Sequence, residues 1–311
     1  MKSLAQLKIV FFGTPDFAVA SLAALREAQL NVVAVVTAPD KPAGRGLHMQ
    51  GTPVKLYAEQ HQIPVLQPHK LKDPEFVAQL QALQADIHIV VAFRMLPEVV
   101  WNMPPMGTLN VHGSLLPQYR GAAPINWAII HGARKTGVTT FRLKHEIDTG
   151  NILLKAEVPI LPEDNAGSVH DKLMHAGAAL LVETLKGLVA GTVQEIPQDS
   201  IVETLRHAPK LFKEHMQIDW NMDANAILCL IRGLSPYPAA FTHLDGKVLK
   251  VFTAHIVAEQ PGQAPGFWDT DHKSYLRFAT KDAWLYLDEL QLEGKKKMFV
   301  QDFLRGYRFK S

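Results

Sequence analysis

The sequence predicts an α/β protein: a doubly wound, mostly parallel sheet followed by a small antiparallel β-barrel. Three observations carry this expectation. The first half alternates continuous apolar runs with amphipathic stretches of helical period, the pattern of strands buried on both faces and helices that cover them. After residue 197 the pattern becomes short alternating segments broken by turn signals, which need closure or covering to be stable. The 311 residues also exceed the roughly 150 of an average domain, so a division at 1–206 and 207–311 is expected.

The elements follow in order. "LKIVFF" (7–12) is a buried strand, "GTPD" a turn, and "FAVASLAALREAQ" a helix. "NVVAVVT" (31–37), "IHIVVAF" (87–93) and "GTLNVHG" (107–113) are further strands, separated by helical patterns such as "PEFVAQLQALQ" (74–84). A long helix over "SVHDKLMHAGAALLVETLKGLVAG" (168–191) closes the first domain, with Gly191 as its stop. "PQDSIVETLRHAPK" (197–210) is polar, has prolines near both ends and reads as a linker. One more helix, "MDANAILCLIRGL" (222–234), precedes the barrel strands, where Asp245-Gly246 between alternating segments signals a tight hairpin.

Composition narrows the function classes. At 47% hydrophobic and 20% charged, the chain has an ordinary globular make-up. Its net charge is +2, so a polyanionic partner has to be met by local basic patches. The single Cys229 rules out an internal disulfide and a Cys-rich zinc site, which fits a reducing cytosol. No uninterrupted apolar run reaches the ~18 residues of a membrane span, and the strand at residue 7 leaves little length for a leader. A cytoplasmic protein without a membrane partner is expected.

Several chemical motifs fail on inspection. The turn after the first strand carries Gly13 but has Pro15 where a dinucleotide fingerprint needs its second glycine. A tight strand-to-helix turn capped by Thr14 or Asp16 explains it better. Ser114 lies in "HGSLL", not in the G-x-S-x-G of a nucleophile elbow. "HEIDT" (145–149) lacks the second histidine of H-E-x-x-H, and the 14 histidines have no metal-ligand spacing, so no metal is expected.

One stretch admits two readings, a polar pair that merely hydrogen-bonds nearby backbone or the edge of a site: "NVHGSLLPQYRGAAPINW" (110–127). Side chains alternate along a strand, so Asn110 and His112 share one face while Leu109 and Val111 share the other. A polar pair on a covered sheet face needs a reason. It stands at the strand's carboxyl end, where open α/β sheets bind ligands. The Gly- and Pro-punctuated loop that follows suits a fixed shape beside a planar ligand. In "EIDTGNILL" (146–154) Asp148 occupies a turn before another apolar strand, and a carboxylate beside a histidine can orient the ring and raise its basicity.

Asn110, His112 and Asp148, with "SLLPQYRG" between them, resemble the N-x-H and Asp set of the 10-formyltetrahydrofolate-dependent formyltransferases. "IVFFGTPDFAV", "APDKPAGRG" followed by "PVK", "GVTTF" with "IDTG", and "APKLFKEHMQIDW" narrow the resemblance to the methionyl-tRNA formyltransferases, over nearly the whole chain. The resemblance implies a Rossmann-like formyltransferase domain and an OB-like barrel that binds tRNA. It also implies formyl transfer from 10-formyltetrahydrofolate to the methionine α-amine of initiator Met-tRNA, without a metal. Asn110 would stabilise the oxyanion, supported by protonated His112; Asp148 would orient His112 and take or relay the amine's proton. Ser114, Leu115, Leu116 and Pro117 would line the folate site, with a cis Leu116–Pro117 bond.

For tRNA the resemblance implies Arg45, in the long glycine-rich segment 40–51, at the acceptor end, and Lys210, Lys295, Lys296 and Lys297 on the barrel. Between 293 and 311 six basic residues face two acidic ones, a local excess of four; on charge alone a solvated surface is the better reading, and it is the resemblance that turns it toward tRNA. Arg94 and Glu146 depart from the commoner family pattern, each flanking the expected folate pocket. An amino-sugar N-formyltransferase with a second domain is the nearest alternative; the glycinamide ribonucleotide enzyme lacks the barrel. A non-catalytic RNA-binding protein would leave the Asn110/His112 strand end unexplained. A monomer is expected.

Overall fold

The computed structural model describes residues 3–43 and 48–309. The chain divides into two compact units. The first holds residues up to 120 together with 136–158 and 170–206; the second holds 121–135, 159–169 and the chain from 207 onward.

The first unit is built on a seven-stranded sheet: β1 (Ile9–Gly13), β2 (Val32–Val36), β3 (Val65–Leu66), β4 (Ile87–Val91), β5 (Thr108–His112), β6 (Lys135–Arg142) and β7 (Ile152–Pro159). Their order is β7-β6-β5-β4-β1-β2-β3. The pairs β1–β2, β1–β4, β4–β5 and β2–β3 are parallel, while β5–β6 is antiparallel. The chain therefore builds outward from β1 to β3, returns to the other side of β1, and leaves a reversal of strand order between β1 and β4. In open α/β sheets ligands bind at the carboxyl ends beside such a reversal.

Ile9, Val10, Phe11 and Phe12 are all fully buried, as expected of a strand covered on both faces. Val10, Phe12, Val36 and Val90 pack with Phe76 and Leu80 of the helix Pro74–Ala82. Asp73 caps that helix by accepting from the Glu75 amide, and Thr52 caps Pro53–Gln60 by accepting from the Lys55 amide. The first helix, Asp16–Glu27, differs from expectation: Pro15 occupies the N-cap and no side chain caps it. Gly13 answers to packing, since a Cβ there would lie 2.6 Å from the Ala18 Cβ.

The helix Ala166–Ala190 is, by length and composition, long and apolar enough to cross a membrane. Its charged residues keep it below an uninterrupted apolar run. Its buried Leu173, Leu181 and Leu185 recur at spacings of eight and four, which marks one face of a core helix. Gly177 lets it approach β5, because a Cβ there would already stand 3.0 Å from Val111. Gly191 follows in the left-handed region at φ 69° and ends the helix.

The second unit contains a curled antiparallel sheet: β8 (Ala240–Leu244), β9 (Lys247–Val257), β10 (Trp268–Thr270), β11 (Leu276–Ala279), β12 (Trp284–Leu292) and β13 (Met298–Phe299). The order is β8-β9-β12-β11-β10, with β13 on β12. Among the described residues it is a half-barrel with β8 and β10 as ends of the path. Asp245 and Gly246, at φ 51° and 77°, form the two-residue hairpin turn between β8 and β9. The helix Ala224–Leu234 supplies Ile227, Ile231 and Leu234 to the core, and Trp220 stacks on Phe278 at 4.5 Å.

Candidate active site

β5 is an inner strand of the seven-stranded sheet and delivers Asn110 and His112 to its carboxyl end. Asn110 is held in register against Val90 on one side and Phe141 on the other, and His112 against Thr139. Leu109 and Val111 are buried on the opposite face. Asn110 is half-buried, and among the described residues its side-chain amide engages no hydrogen-bond partner.

The His112 ring is buried and meets Phe141 edge-on, with centroids 6.4 Å apart. Its Nε2 stands 3.0 Å from the Tyr119 carbonyl oxygen. A carbonyl only accepts, so Nε2–H donates, and in the neutral ring the lone pair is left on Nδ1. That Nδ1 stands 3.8 Å from Oδ2 of Asp148. The separation is too long for a hydrogen bond, so the carboxylate faces the ring nitrogen without being bonded to it. Tyr119 thus holds the ring orientation by hydrogen bonding, and Asp148 acts on it across a gap. A proton-bearing group shared by Nδ1 and the carboxylate suits this arrangement.

Asp148 stands in a left-handed turn at φ 55°, a conformation in which Asp is tolerated better than most residues. Gly150 is required two residues on, because a Cβ there would lie 1.6 Å from the Arg142 carbonyl oxygen. The stem of the turn is braced by Glu195, which accepts from both Arg142 and Asn151. Burial works to raise the Glu195 carboxyl, but these bonds hold it below the ordinary carboxylate range.

Gln198, which sequence reasoning did not single out, completes the turn. Gln198 is buried, and its Nε2 donates to the carbonyl oxygens of Asp148 and Gly150, both at 2.8 Å. Its Oε1 accepts from Arg120 Nε at 2.9 Å and Nη2 at 2.7 Å. Gln198 falls in the stretch read as a linker, where a lone glutamine carries no signal. The antiparallel bridge between Ile152 and Ile196 draws that stretch onto the unit.

The loop after His112 has the expected cis Leu116–Pro117 bond. Ser114 is fully buried and donates to the Gln118 carbonyl at 2.6 Å, while Leu116 packs with Phe141 and Ile152. Pro117 is buried, and Leu115 is partly exposed and packs on Gly137. The side chains of Ser114 and Leu116 are therefore committed to the loop's own shape. Arg94 spans back to the carbonyl oxygens of Pro68 and His69 and lies over the Phe93 ring at 5.6 Å. Glu146 is exposed and accepts from Thr149 through its carbonyl.

Of the residues expected to meet tRNA, Arg45 lies outside the described residues. The segment around it has Lys41–Ala43 paired antiparallel with His48–Gln50. Below that ribbon Asp40 accepts from Lys55 Nζ at 2.6 Å and from Gln67 at 2.7 Å. In the second unit Lys210, Lys295 and Lys296 are exposed. Lys297 is engaged, pairing with Glu289 at 2.8 Å and lying over the Phe252 ring at 4.8 Å. Among the described residues no three His, Cys, Asp or Glu side chains gather as metal ligands.

An amide donor, a histidine of fixed tautomer and a nearby carboxylate can together hold developing negative charge and receive a proton. The formyl transferase profile matches residues 7–185, and the profile of the formyl transferase C-terminal domain matches 210–308. A methionyl-tRNA formyltransferase from Bacteroides fragilis is 53% identical over 308 residues, 97% of this chain and 95% of that one. The chain belongs to the formyltransferase family. Another methionyl-tRNA formyltransferase, from Phocaeicola vulgatus, is 55% identical over 311 residues, 97% of this chain and 96% of that one. Among solved structures, HypX from Aquifex aeolicus in complex with tetrahydrofolic acid matches at TM-score 0.65 and 19% identity. The match covers 97% of this chain but only 48% of that longer one. An N-formyltransferase from Helicobacter canadensis, in complex with folinic acid and dTDP-3-aminofucose, matches at TM-score 0.67 and 18% identity, covering 90% and 98%. At such identities these two carry the formyltransferase fold alone.

Proposed function

We propose that this formyltransferase moves the formyl group of 10-formyltetrahydrofolate to the α-amine of methionine on initiator Met-tRNA. The single observation that carries the reaction is the strand-end set: Asn110 and His112 on one face of β5, with the Asp148 carboxylate 3.8 Å from the ring. Near-full-length identity to methionyl-tRNA formyltransferases supports the acceptor.

A formyl carbon is already electrophilic, so the demands on the protein are an uncharged amine and a place for negative charge. Asn110 donates its side-chain N–H to the formyl oxygen as charge develops there; removing one such donor costs ~10²–10³ in rate. His112, whose Nε2 is spoken for by Tyr119, offers Nδ1 toward Asp148. Between them the amine gives up its proton as its nitrogen bonds to the formyl carbon, a contribution of ~10²–10⁴. The bond from that carbon to N10 breaks and the proton passes to N10, so that tetrahydrofolate leaves. We assign donor binding to the loop Ser114–Pro117, through its backbone and Leu115, since Ser114 and Leu116 turn inward.

Acceptor recognition is assigned to Arg45 at the acceptor end and to Lys210, Lys295, Lys296 and Lys297 along the phosphates. The enzyme is proposed to work as a monomer in the cytoplasm. The test is formylation by purified protein of Met-tRNA from initiator and elongator species, with an amino-sugar nucleotide as a third acceptor. Product with the initiator alone is expected; formylation of the sugar and of neither tRNA would overturn the reading.

A further inference from the structure

We propose that Gln198, itself fixed by Arg120, is a positioning residue that sets the distance between His112 and Asp148; this deepens the reading of the site given above. Gln198 is a polar side chain only 3% exposed, and its hydrogen-bonding capacity is spent. Two N–H groups go to the Asp148 and Gly150 carbonyls, and the carbonyl accepts twice from Arg120. A flipped amide would turn N–H groups toward the guanidinium and its oxygen toward two carbonyls, so one orientation alone is satisfied.

The placement gives this relay a purpose. Asp148 holds a left-handed backbone that needs support from its surroundings. Gln198 grips the chain on both sides of Thr149 and so fixes where the Asp148 carboxylate begins. Arg120 stands at the far end of the loop that starts at His112. That loop is anchored a residue earlier, where Tyr119 accepts from the His112 ring and donates its amide to Arg206 at 2.6 Å. The imidazole stands at the end of β5 and the carboxylate in the turn between β6 and β7, and the Arg120–Gln198 contact joins the loop that follows the first to the turn that carries the second. A catalytic group displaced by about 1 Å loses ~10²-fold in rate, so such a joint bears on turnover without touching either substrate.

The test is a double-mutant cycle on the full-length enzyme. Gln198→Met removes all four bonds at similar volume. Gln198→Glu keeps the Arg120 contact and loses the two donors. Each is made in the wild-type and Asp148→Asn backgrounds, and kcat and KM are measured for 10-formyltetrahydrofolate and initiator Met-tRNA. Melting curves confirm folding, and where Gln198→Met fails to fold, Gln198→Glu carries the cycle. The expected result is a ~10–100-fold fall in kcat with both KM values nearly unchanged in the wild-type background, and a cost below about threefold beside Asp148→Asn, as expected when one residue acts through the other. The same loss in both backgrounds, or no loss in the first, would overturn the proposal. Wild-type turnover by Asp148→Asn alone would bring down the site assignment beneath it as well.

Discussion

His112 donates to a backbone carbonyl with Nε2 and faces a carboxylate with Nδ1. Asn110→Ala is expected to lower kcat by ~10²–10³ with folding intact, which steady-state formylation rates check directly. His88 shows the opposite use of the same side chain. It lies in the core of β4 beside Phe12, with centroids 5.1 Å apart, and neither ring nitrogen makes a well-formed hydrogen bond. Burial, against a smaller opposing pull from the Val100 backbone, pushes its pKa down to about 4. The unfolded chain therefore binds a proton that the folded one refuses between pH ~6.5 and about 4, so stability is full above that window and falls as pH drops through it. Urea unfolding at pH 7 and pH 4.5 should reveal a loss of up to about 3 kcal/mol that His88→Leu largely abolishes. An equal loss in the variant would locate the acid sensitivity elsewhere. Asn110 and His112 were legible in the sequence because strand alternation puts two polar groups on a face that should be apolar. Gln198 was not, because its meaning comes from bonds to residues about fifty and eighty positions away.

Strands and helices were read correctly where burial imposes a period: β1, β4 and the helix Ala224–Leu234 follow continuous or 3.6-residue apolar patterns. Ends were harder. The first helix starts at Asp16 behind an uncapped Pro15, since Gly13 is demanded by strand-to-helix packing and Thr14 does not cap. The segment 197–210 looked like a linker because most of it is polar and exposed, and the bonds of Gln198 to the Asp148 and Gly150 carbonyls leave no mark in composition. Two element-scale outcomes follow. Gly150→Ala should push the turn away from the Arg142 carbonyl, costing about 1–3 kcal/mol and most of the activity; an unchanged melt and rate would contradict the close approach. Ile231→Ala, in the fully buried stripe under the half-barrel, should cost about 2–5 kcal/mol in the unfolding of the second unit. A near-neutral result there would mean that the helix is not part of that core.

Across the whole molecule, a net charge of +2 places the burden of meeting a polyanion on local patches. Lys295 and Lys296 are exposed, whereas Lys297 is shared with Glu289 and the Phe252 ring. Replacing Lys295 and Lys296 by glutamine should flatten the salt dependence of tRNA binding by roughly 0.7–0.9 per lost phosphate contact, and Lys297→Gln should do less. Filter binding between 50 and 200 mM salt, the range over which phosphate contacts are felt most, reads both slopes, and unchanged slopes would remove the patch from the interface. The broad architecture was legible because alternating βα units and a later run of short strands leave few ways to bury their apolar faces. That residues 121–135 and 159–169 group with the second unit was not, since a chain excursion leaves no compositional mark. The most direct test of the central claim is the single-turnover rate of formyl transfer to initiator Met-tRNA by folded Asp148→Asn enzyme. A fall of ~10²-fold or more is expected if the carboxylate beside His112 takes part in moving the amine's proton; a rate within a few-fold of wild type would contradict it.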